Sequence, residues 1–375
     1  MTLSPVPYRP TLARIDLAAF ARNIRLIMRH SDTAMLGVIK ADAYGHGAVP
    51  CARVLQDCGA AYAGVALAEE ALELRAAGIE LPILLLGKAP RNALEALLAQ
   101  TVTCTLTCAD DAKNLQAAAT ACGVTARAHV KIDTGMSRLG LQPEEAGPFW
   151  DMLQHCDRIA VEGVFTHFAS ADDADLRFAH KQAKAFAAVL AALADQGRRP
   201  RLAHACASSG LHTMPHAAYD LVRPGIALYG GTQPHCTAFT TEPVMQLESR
   251  LMTVRWFEAG RNVSYGNTYT CRSPRRIAAL PVGYADGLSR SLSNRGFVLM
   301  HGMPAPIVGR ICMDMTMIDV TDIPQAEEGS PAILFGNPAP APNCPTVNSL
   351  ADMLDTIPYE VLCGISKRVP RVYTA

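Results

Sequence analysis

The 375-residue chain has no excess of either charge: 34 basic residues balance 34 acidic ones. With no long run of one sign, a nucleic-acid or anionic-membrane surface is excluded as the organising feature. No stretch stays apolar for the ~18 residues that a membrane span requires. The opening residues, MTLSPVPYRPTLARIDL, show no basic head followed by an apolar core, so no secretory signal is expected. The 12 cysteines include no C-x-x-C pair. Cys104 and Cys108, the nearest two, are followed by no Cys/His pair at zinc-ligand spacing, and no metal site is expected. The thiols are expected to be reduced and mostly small core residues, and the protein cytoplasmic. Internal repeats and low-complexity tracts are absent too.

What is present is a hydrophobic half of the chain (50%) and a length that suits about two domains. Short apolar runs alternate with helical periodicity up to about Gly230. The runs are Leu36–Ile39, Ala63–Ala66, Ile83–Leu86, Val102–Leu106, Ala126–Ile132, Ala160–Thr166, Leu202–Cys206 and Leu221–Leu228. Between them lie helical segments at Ala48–Cys58, Ala68–Ala77, Arg91–Gln100, Ala109–Ala121, Glu144–Cys156 and Leu176–Ala194, with a short link at Ser208–Pro215. Eight strands with intervening helices predict an α/β fold, an N-terminal (β/α)8 TIM barrel. An open doubly wound sheet is the rival, weakened because no G-x-G-x-x-G follows the first strand.

A helix at Leu17–His30 precedes the barrel. The strand before it, Thr11–Leu17, has no place in the barrel count and is expected to pair elsewhere. After about Gln233, Pro, Gly and short alternating runs take over at Val244–Val254, Ile277–Val282, Phe297–Met300, Ile307–Ile311, Met315–Val320 and Pro331–Phe335. This predicts a mostly-β C-terminal domain with one helix at Asn348–Leu354. The expected division is a barrel over 11–235 and a β-rich domain over 236–375, with residues 1–17 pairing with the latter.

The chemistry is read outward from VIKADAYGHG, Val38 to Gly47. A lysine, Lys40, ends a buried apolar run, which is costly unless the amine is paired or used. Burial lowers the pKa of an amine, and the neutral form attacks carbonyls to give Schiff bases. In such a barrel the active site sits at the carboxyl ends of the strands. Lys40 and Tyr44, KIDTGMSRLG (131–140), THFAS (166–170), HACASS (204–209) and VRPGIALYG (222–230) all fall there. Phosphate sites in these barrels follow strands seven and eight. There Ser208 and Ser209 offer hydroxyls, and Pro224–Gly225–Ile226 a turn of backbone N–H groups.

Together these strings resemble the alanine racemase family, nearly end to end. VIKADAYGHG is similar to its cofactor-lysine signature, and VKIDTGMSRLG, RPGIALYG, VSYGNTY, LPVGYADG, VGRICMD and IPYEVLCGISKRVPRVY follow in order. The resemblance implies an isomerase that uses pyridoxal 5'-phosphate (PLP) to interconvert L- and D-alanine for peptidoglycan. Lys40 would hold PLP covalently. Tyr44, Ser208 and Tyr359 would bind its phosphate through hydroxyls, with Gly225 and Ile226 donating N–H groups. Arg223 would face the pyridine nitrogen, and His167 would lie beside the ring. Arg138 would reach the ring oxygen and the substrate carboxylate, held by Lys131 as a carbamate. Met313 and Asp314 would line the substrate entrance. The chain departs from the family at HACASS, where Ala207–Ser208 stands for the usual Asn-Ser, which bears on the cofactor's surroundings.

Racemisation needs a proton removed on one face and another returned on the opposite face. The resemblance gives the two bases as Lys40 and Tyr265. A phenol, with a reference pKa near ~10, is a weak base at neutral pH, so this reading asks for a cation or a hydrogen-bond donor beside it. Arg223 would keep its proton and leave the ring a weaker electron sink, which disfavours transamination. In the family Tyr265 arrives from the second subunit, so a homodimer with shared sites is implied, acting on a small amino acid with neither nucleic acid nor membrane as partner. A serine or broad-specificity racemase on the same scaffold stays open. A PLP decarboxylase would be expected to carry an acid at Arg223, and a single-barrel PLP-binding protein would lack Tyr265.

Overall fold

A computed structural model describes residues 8–338 and 342–374. The first seven residues, expected to pair with the β domain, lie outside the described residues.

Eight parallel strands form one sheet: Ala34–Val38, Tyr62–Val65, Ile83–Lys88, Thr103–Leu106, Ala126–Lys131, Ile159–Phe165, Leu202–His204 and Leu221–Val222. Tyr62–Val65 and Thr103–Leu106 are buried at every residue. Such strands are covered on both faces, by helices outside and side chains inside, so they read as apolar runs without alternation. The helices turn one stripe inward. Leu17–Ser31 buries Ala19, Phe20, Asn23, Ile24 and Ile27. Its start is fixed by Asp16, whose carboxylate accepts the Ala19 N–H at 2.8 Å.

The sheet closes into a barrel between the seventh and eighth strands without a full ladder. Asp220 N–H donates to Ala203 O (3.0 Å) and Arg223 N–H to Cys206 O (2.8 Å), and Ala207 bridges Arg223 in parallel. The eighth strand is shorter than its apolar run predicts, ending at Val222 rather than Leu228. Pro224 has no N–H to extend a ladder. The following Ile226–Tyr229 folds as a buried 3₁₀ turn. Its Tyr229 hydroxyl donates to Val38 O (3.0 Å), on the strand that leads to Lys40. Two other segments also differ from expectation. Arg91–Gln100 divides into a 3₁₀ turn and a short helix, Leu94–Ala99. The link after strand seven holds a helical turn, Ser208–Thr213.

The C-terminal part is built on a six-stranded sheet, in spatial order Met303–Pro306, Phe297–Met300, Pro331–Phe335, Met245–Arg250, Leu12–Asp16 and Arg371–Thr374. The strand before the first helix thus pairs antiparallel to Met245–Arg250 and parallel to Arg371–Thr374. Val244–Val254 is two strands in different sheets, since Thr253–Phe257 joins Arg275–Leu280 and Thr316–Asp319. Ile307–Ile311 is not a strand; it contributes one bridge, Ile307 to Ile318. A second helix, Pro358–Cys363, follows Val347–Leu354. A two-stranded hairpin, Asn262–Val263 with Tyr269–Thr270, carries Tyr265 between its strands. One continuous apolar core joins barrel and sheet, and no described helix is long and apolar enough to cross a membrane.

Candidate active site

A cleft of about 420 Å³ opens at the carboxyl ends of the barrel strands. Its lining brings together Lys40, Tyr44, Lys131, Arg138, His167, Ser208, Arg223, Gly225 and Tyr359.

Lys40 lies two residues beyond the first strand, after the fully buried Ile39. Burial pulls its pKa down, Arg138 adds to this, and Glu70 opposes both. The next four residues, Ala41 to Tyr44, are left-handed, with φ between 52° and 53°. That conformation costs an L-residue about 1–2 kcal/mol each time. Ala41 N–H donates to the Glu70 carboxylate (2.6 Å), which also receives the N–H groups of Ala66 and Leu67.

Strand five delivers Lys131, which is 5% exposed with its Nζ 5.1 Å over the Phe165 ring. Burial, then Arg223 and Arg138, bring its pKa down to about 8. The KIDTGMSR loop is folded back by Asp133, whose carboxylate accepts from the N–H groups of Gly135, Ser137 and Arg138. This carries Arg138 into the cleft.

Arg223 is the hub of the opposite wall, at 3% exposure. Its guanidinium donates to Thr166 O (2.7 Å), Ala205 O (2.9 Å), His204 Nδ1 (2.8 Å) and His167 Nδ1 (3.3 Å). Burial lowers its pKa to about 10, so it stays a cation at neutral pH. Because a guanidinium only donates, both histidines accept on Nδ1 and carry their protons on Nε2. His204 then donates from Nε2 to His129 Nδ1 at 2.9 Å, and its ring stacks on Phe165 at 4.8 Å. The arginine thus fixes three imidazole tautomers in series. Sequence reasoning placed HACASS here but gave His204 and His129 no role; a histidine at the end of strand seven was the available signal.

At the far end, Ser208 Oγ accepts from Gly225 N–H (2.9 Å) and Ala227 N–H (3.2 Å). Its lone pairs are engaged and its proton is left to donate. Gly225 N–H therefore points at Ser208 rather than into the cleft, and Ile226 is buried outside the lining. Gly225 admits no side chain, because a Cβ would stand 2.5 Å from the Tyr44 hydroxyl. The Tyr44 and Tyr359 rings lie 5.8 Å apart. Burial raises the pKa of Tyr44 and brings that of Tyr359 up to about 12, so both remain protonated donors. Met136, from the KIDTGMSRLG string, and Gln233, Asp172 and Ile357 also line the cleft; no strand-end argument selected the last three.

Three expected residues are elsewhere. Tyr265 is 71% exposed at the hairpin of the C-terminal domain, and Met313 is 52% exposed. Asp314 accepts from Arg368 at 2.7 Å. None of the three lines the cleft of its own chain.

The fully buried histidines give a stability prediction. Burial holds His46 at about 4, His129 at about 3 and His204 well below 6.5. Unfolded, each binds a proton near 6.5, so the unfolded state gains protons first as pH falls. Stability should fall below about pH 6.5, with a slope approaching ~1.4 kcal/mol per pH unit for each histidine. Denaturant midpoints measured at about pH 7 and about pH 5 check this; equal midpoints would contradict it.

A barrel with a lysine of lowered pKa, three hydroxyl donors and an arginine hub at its mouth defines the class: an enzyme that binds an anionic group beside a reactive amine. The comparisons make the assignment specific. Residues 15–233 match the alanine racemase N-terminal domain and residues 244–373 its C-terminal domain. An alanine racemase of Desulfovibrio desulfuricans is 44% identical over 370 residues, covering 97% of this chain and 98% of the relative. One of Geobacter sulfurreducens is 41% identical, covering 97% of each. The solved alanine racemase of Clostridium difficile superposes with a TM-score of 0.92 at 37% identity, over 98% of this chain and 97% of that one. That of Streptomyces lavendulae gives 0.90 at 36% identity, over 99% and 98%. The chain belongs to the alanine racemase family, and it is a PLP-dependent racemase that interconverts L- and D-alanine.

Proposed function

We propose that PLP is held on Lys40 and that two bases, Lys40 and Tyr265 of the partner subunit, serve opposite faces of the substrate carbon. On this reading the protein is a cytoplasmic homodimer with shared sites, and it supplies D-alanine for peptidoglycan. The observation that carries the proposal is the cleft itself: Lys40, at the end of the first barrel strand and with a lowered pKa, shares it with the protonated hydroxyls of Tyr44 and Tyr359 and with Ser208, whose Oγ already accepts two N–H groups.

When bound, PLP supplies an electron sink that acidifies the substrate Cα–H. The chain's residues do the rest. Ser208, Tyr44 and Tyr359 donate to the phosphate, and Arg138 orients the substrate carboxylate. Lys131, an amine brought near neutrality between two arginines, suits conversion to a carbamate that would pair with Arg138. His167 is held neutral, since burial and then Arg223 depress its pKa. With Nδ1 occupied by Arg223, its Nε2–H is the donor available to a phenol arriving from outside. Met313 and Asp314 would narrow the entrance from the partner's side.

Borohydride reduction of the purified protein, followed by peptide mapping, tests the first part: the label is expected on Lys40. A chiral assay with L-alanine and L-serine side by side tests the substrate. Alanine is expected to be preferred about 10–200-fold, the discrimination that one added group permits. Labelling elsewhere, or equal rates, would sink the respective statement.

A further inference from the structure

We infer that His46 is a positioning residue that locks the left-handed turn Ala41–Tyr44 and so sets where Lys40 and Tyr44 stand toward the cofactor. The inference rests on the proposal that PLP is held on Lys40. Apart from Asp42, whose carboxylate accepts from Ala48 N–H at 2.7 Å, the residue types do not favour the turn. Ala-Asp-Ala-Tyr contains no glycine, and alanine is the strongest right-handed helix former. The turn must be held by its surroundings.

Its ends are tied by backbone and neighbours. Ala41 N–H reaches Glu70. Gly47 N–H donates to Asp42 O (2.9 Å), and Arg371 Nε donates to Gly45 O (2.9 Å). The middle is held by His46, whose Nδ1 lies 3.0 Å from both Ala43 O and Tyr44 O. Carbonyl oxygens only accept, so Nδ1 carries the proton. Nε2 is then a bare lone pair, buried with no hydrogen-bond partner among the described residues. A fully buried side chain with half its polar capacity unmet is a poor choice for packing alone. The other half, the shared donor, accounts for its presence.

The ring also ties the turn to the strand behind it. It packs 4.6 Å from Tyr229, which packs 4.9 Å from Tyr44, and the Tyr229 hydroxyl is bonded to Val38 O. One imidazole therefore fixes the carbonyls beside Tyr44 and rests on the ring that anchors the strand before Lys40. Arg371, itself beside Asp42, is the charged group that acts on it, and burial keeps it neutral across the working pH range.

The test follows PLP release from holoenzyme into an excess of an alkoxyamine scavenger, beside circular dichroism of the bound chromophore and thermal unfolding. His46→Asn places an amide N–H where Nδ1 was; His46→Phe keeps the ring and removes the donor. His46→Phe is expected to lose PLP about tenfold faster and to alter the chromophore signal, with His46→Asn within about twofold of wild type. His46→Gln, whose amide falls at the Nε2 position, should follow His46→Phe and serves if that variant folds poorly. Release from His46→Phe at the wild-type rate would overturn the inference. So would equal losses in His46→Phe and His46→Asn that track thermal stability, which would assign the residue to packing. Wild-type protein without a reducible adduct at Lys40 would remove the proposed function and this inference together, an outcome distinct from the other two.

Discussion

Tyr265→Phe is expected to slow α-proton exchange by about 10²–10⁴-fold, the usual share of one acid–base group, and to do so far more from one enantiomer than from the other. The cofactor should stay bound, because on the proposed reading Lys40 and the hydroxyls of Ser208, Tyr44 and Tyr359 hold it, and Tyr265 does not. Deuterium wash-in from each enantiomer in heavy water separates the two faces. Equal, mild losses in both directions would remove Tyr265 from its role. Its exposure gives a sharper form of the test. Co-expressed Lys40→Ala and Tyr265→Phe chains should form mixed dimers in which one of two shared sites is intact. Random pairing then predicts recovery of about a quarter of wild-type activity from two parents that have nearly none. No recovery would mean that both groups come from one chain.

Arg223→Glu is expected to change the product as well as the rate. Arginine donates to two carbonyl oxygens and two imidazoles here. Glutamate would leave these acceptors unpaired and set an unmatched charge among them, a loss on the order of 3–5 kcal/mol that thermal unfolding should register. On the placement that the resemblance implies, a guanidinium would keep its proton and leave the pyridine nitrogen beside it unprotonated; a carboxylic acid could hand its proton over. The expected result is slower racemisation with keto acid accumulating as a side product. An unchanged ratio of keto acid to D-alanine would contradict this account of Arg223, whatever happened to the rate.

Much of the barrel was legible because its strands are buried on both faces and stand out as apolar runs. The eighth run misled in length, since an apolar sequence such as Ile226–Tyr229 is buried equally well in a turn, and burial was the signal. The C-terminal strands were harder. Arg371–Thr374 and Met303–Pro306 take their identity from distant partners rather than from local alternation. Lys40, Arg223 and Ser208 were visible as polar residues at strand ends. A turn after Lys40 was legible, but its left-handed course was not, because Ala41 to Tyr44 contain no glycine and bonds to Glu70, His46 and Arg371 help to hold it. That the motif residues Tyr265 and Met313 stand away from the cleft is a property of one chain, and the resemblance had already implied a second.

The strand Leu12–Asp16 lies between Met245–Arg250 and Arg371–Thr374. One of these neighbours is made more than three hundred residues after it. During synthesis it must wait, with Ala13 and Ile15 uncovered, for more than three hundred residues to follow. Loop closure over such a span is slow. Nascent chains stalled before Arg371 should therefore keep this strand open to proteases and chaperones, even where the parallel ring has already formed.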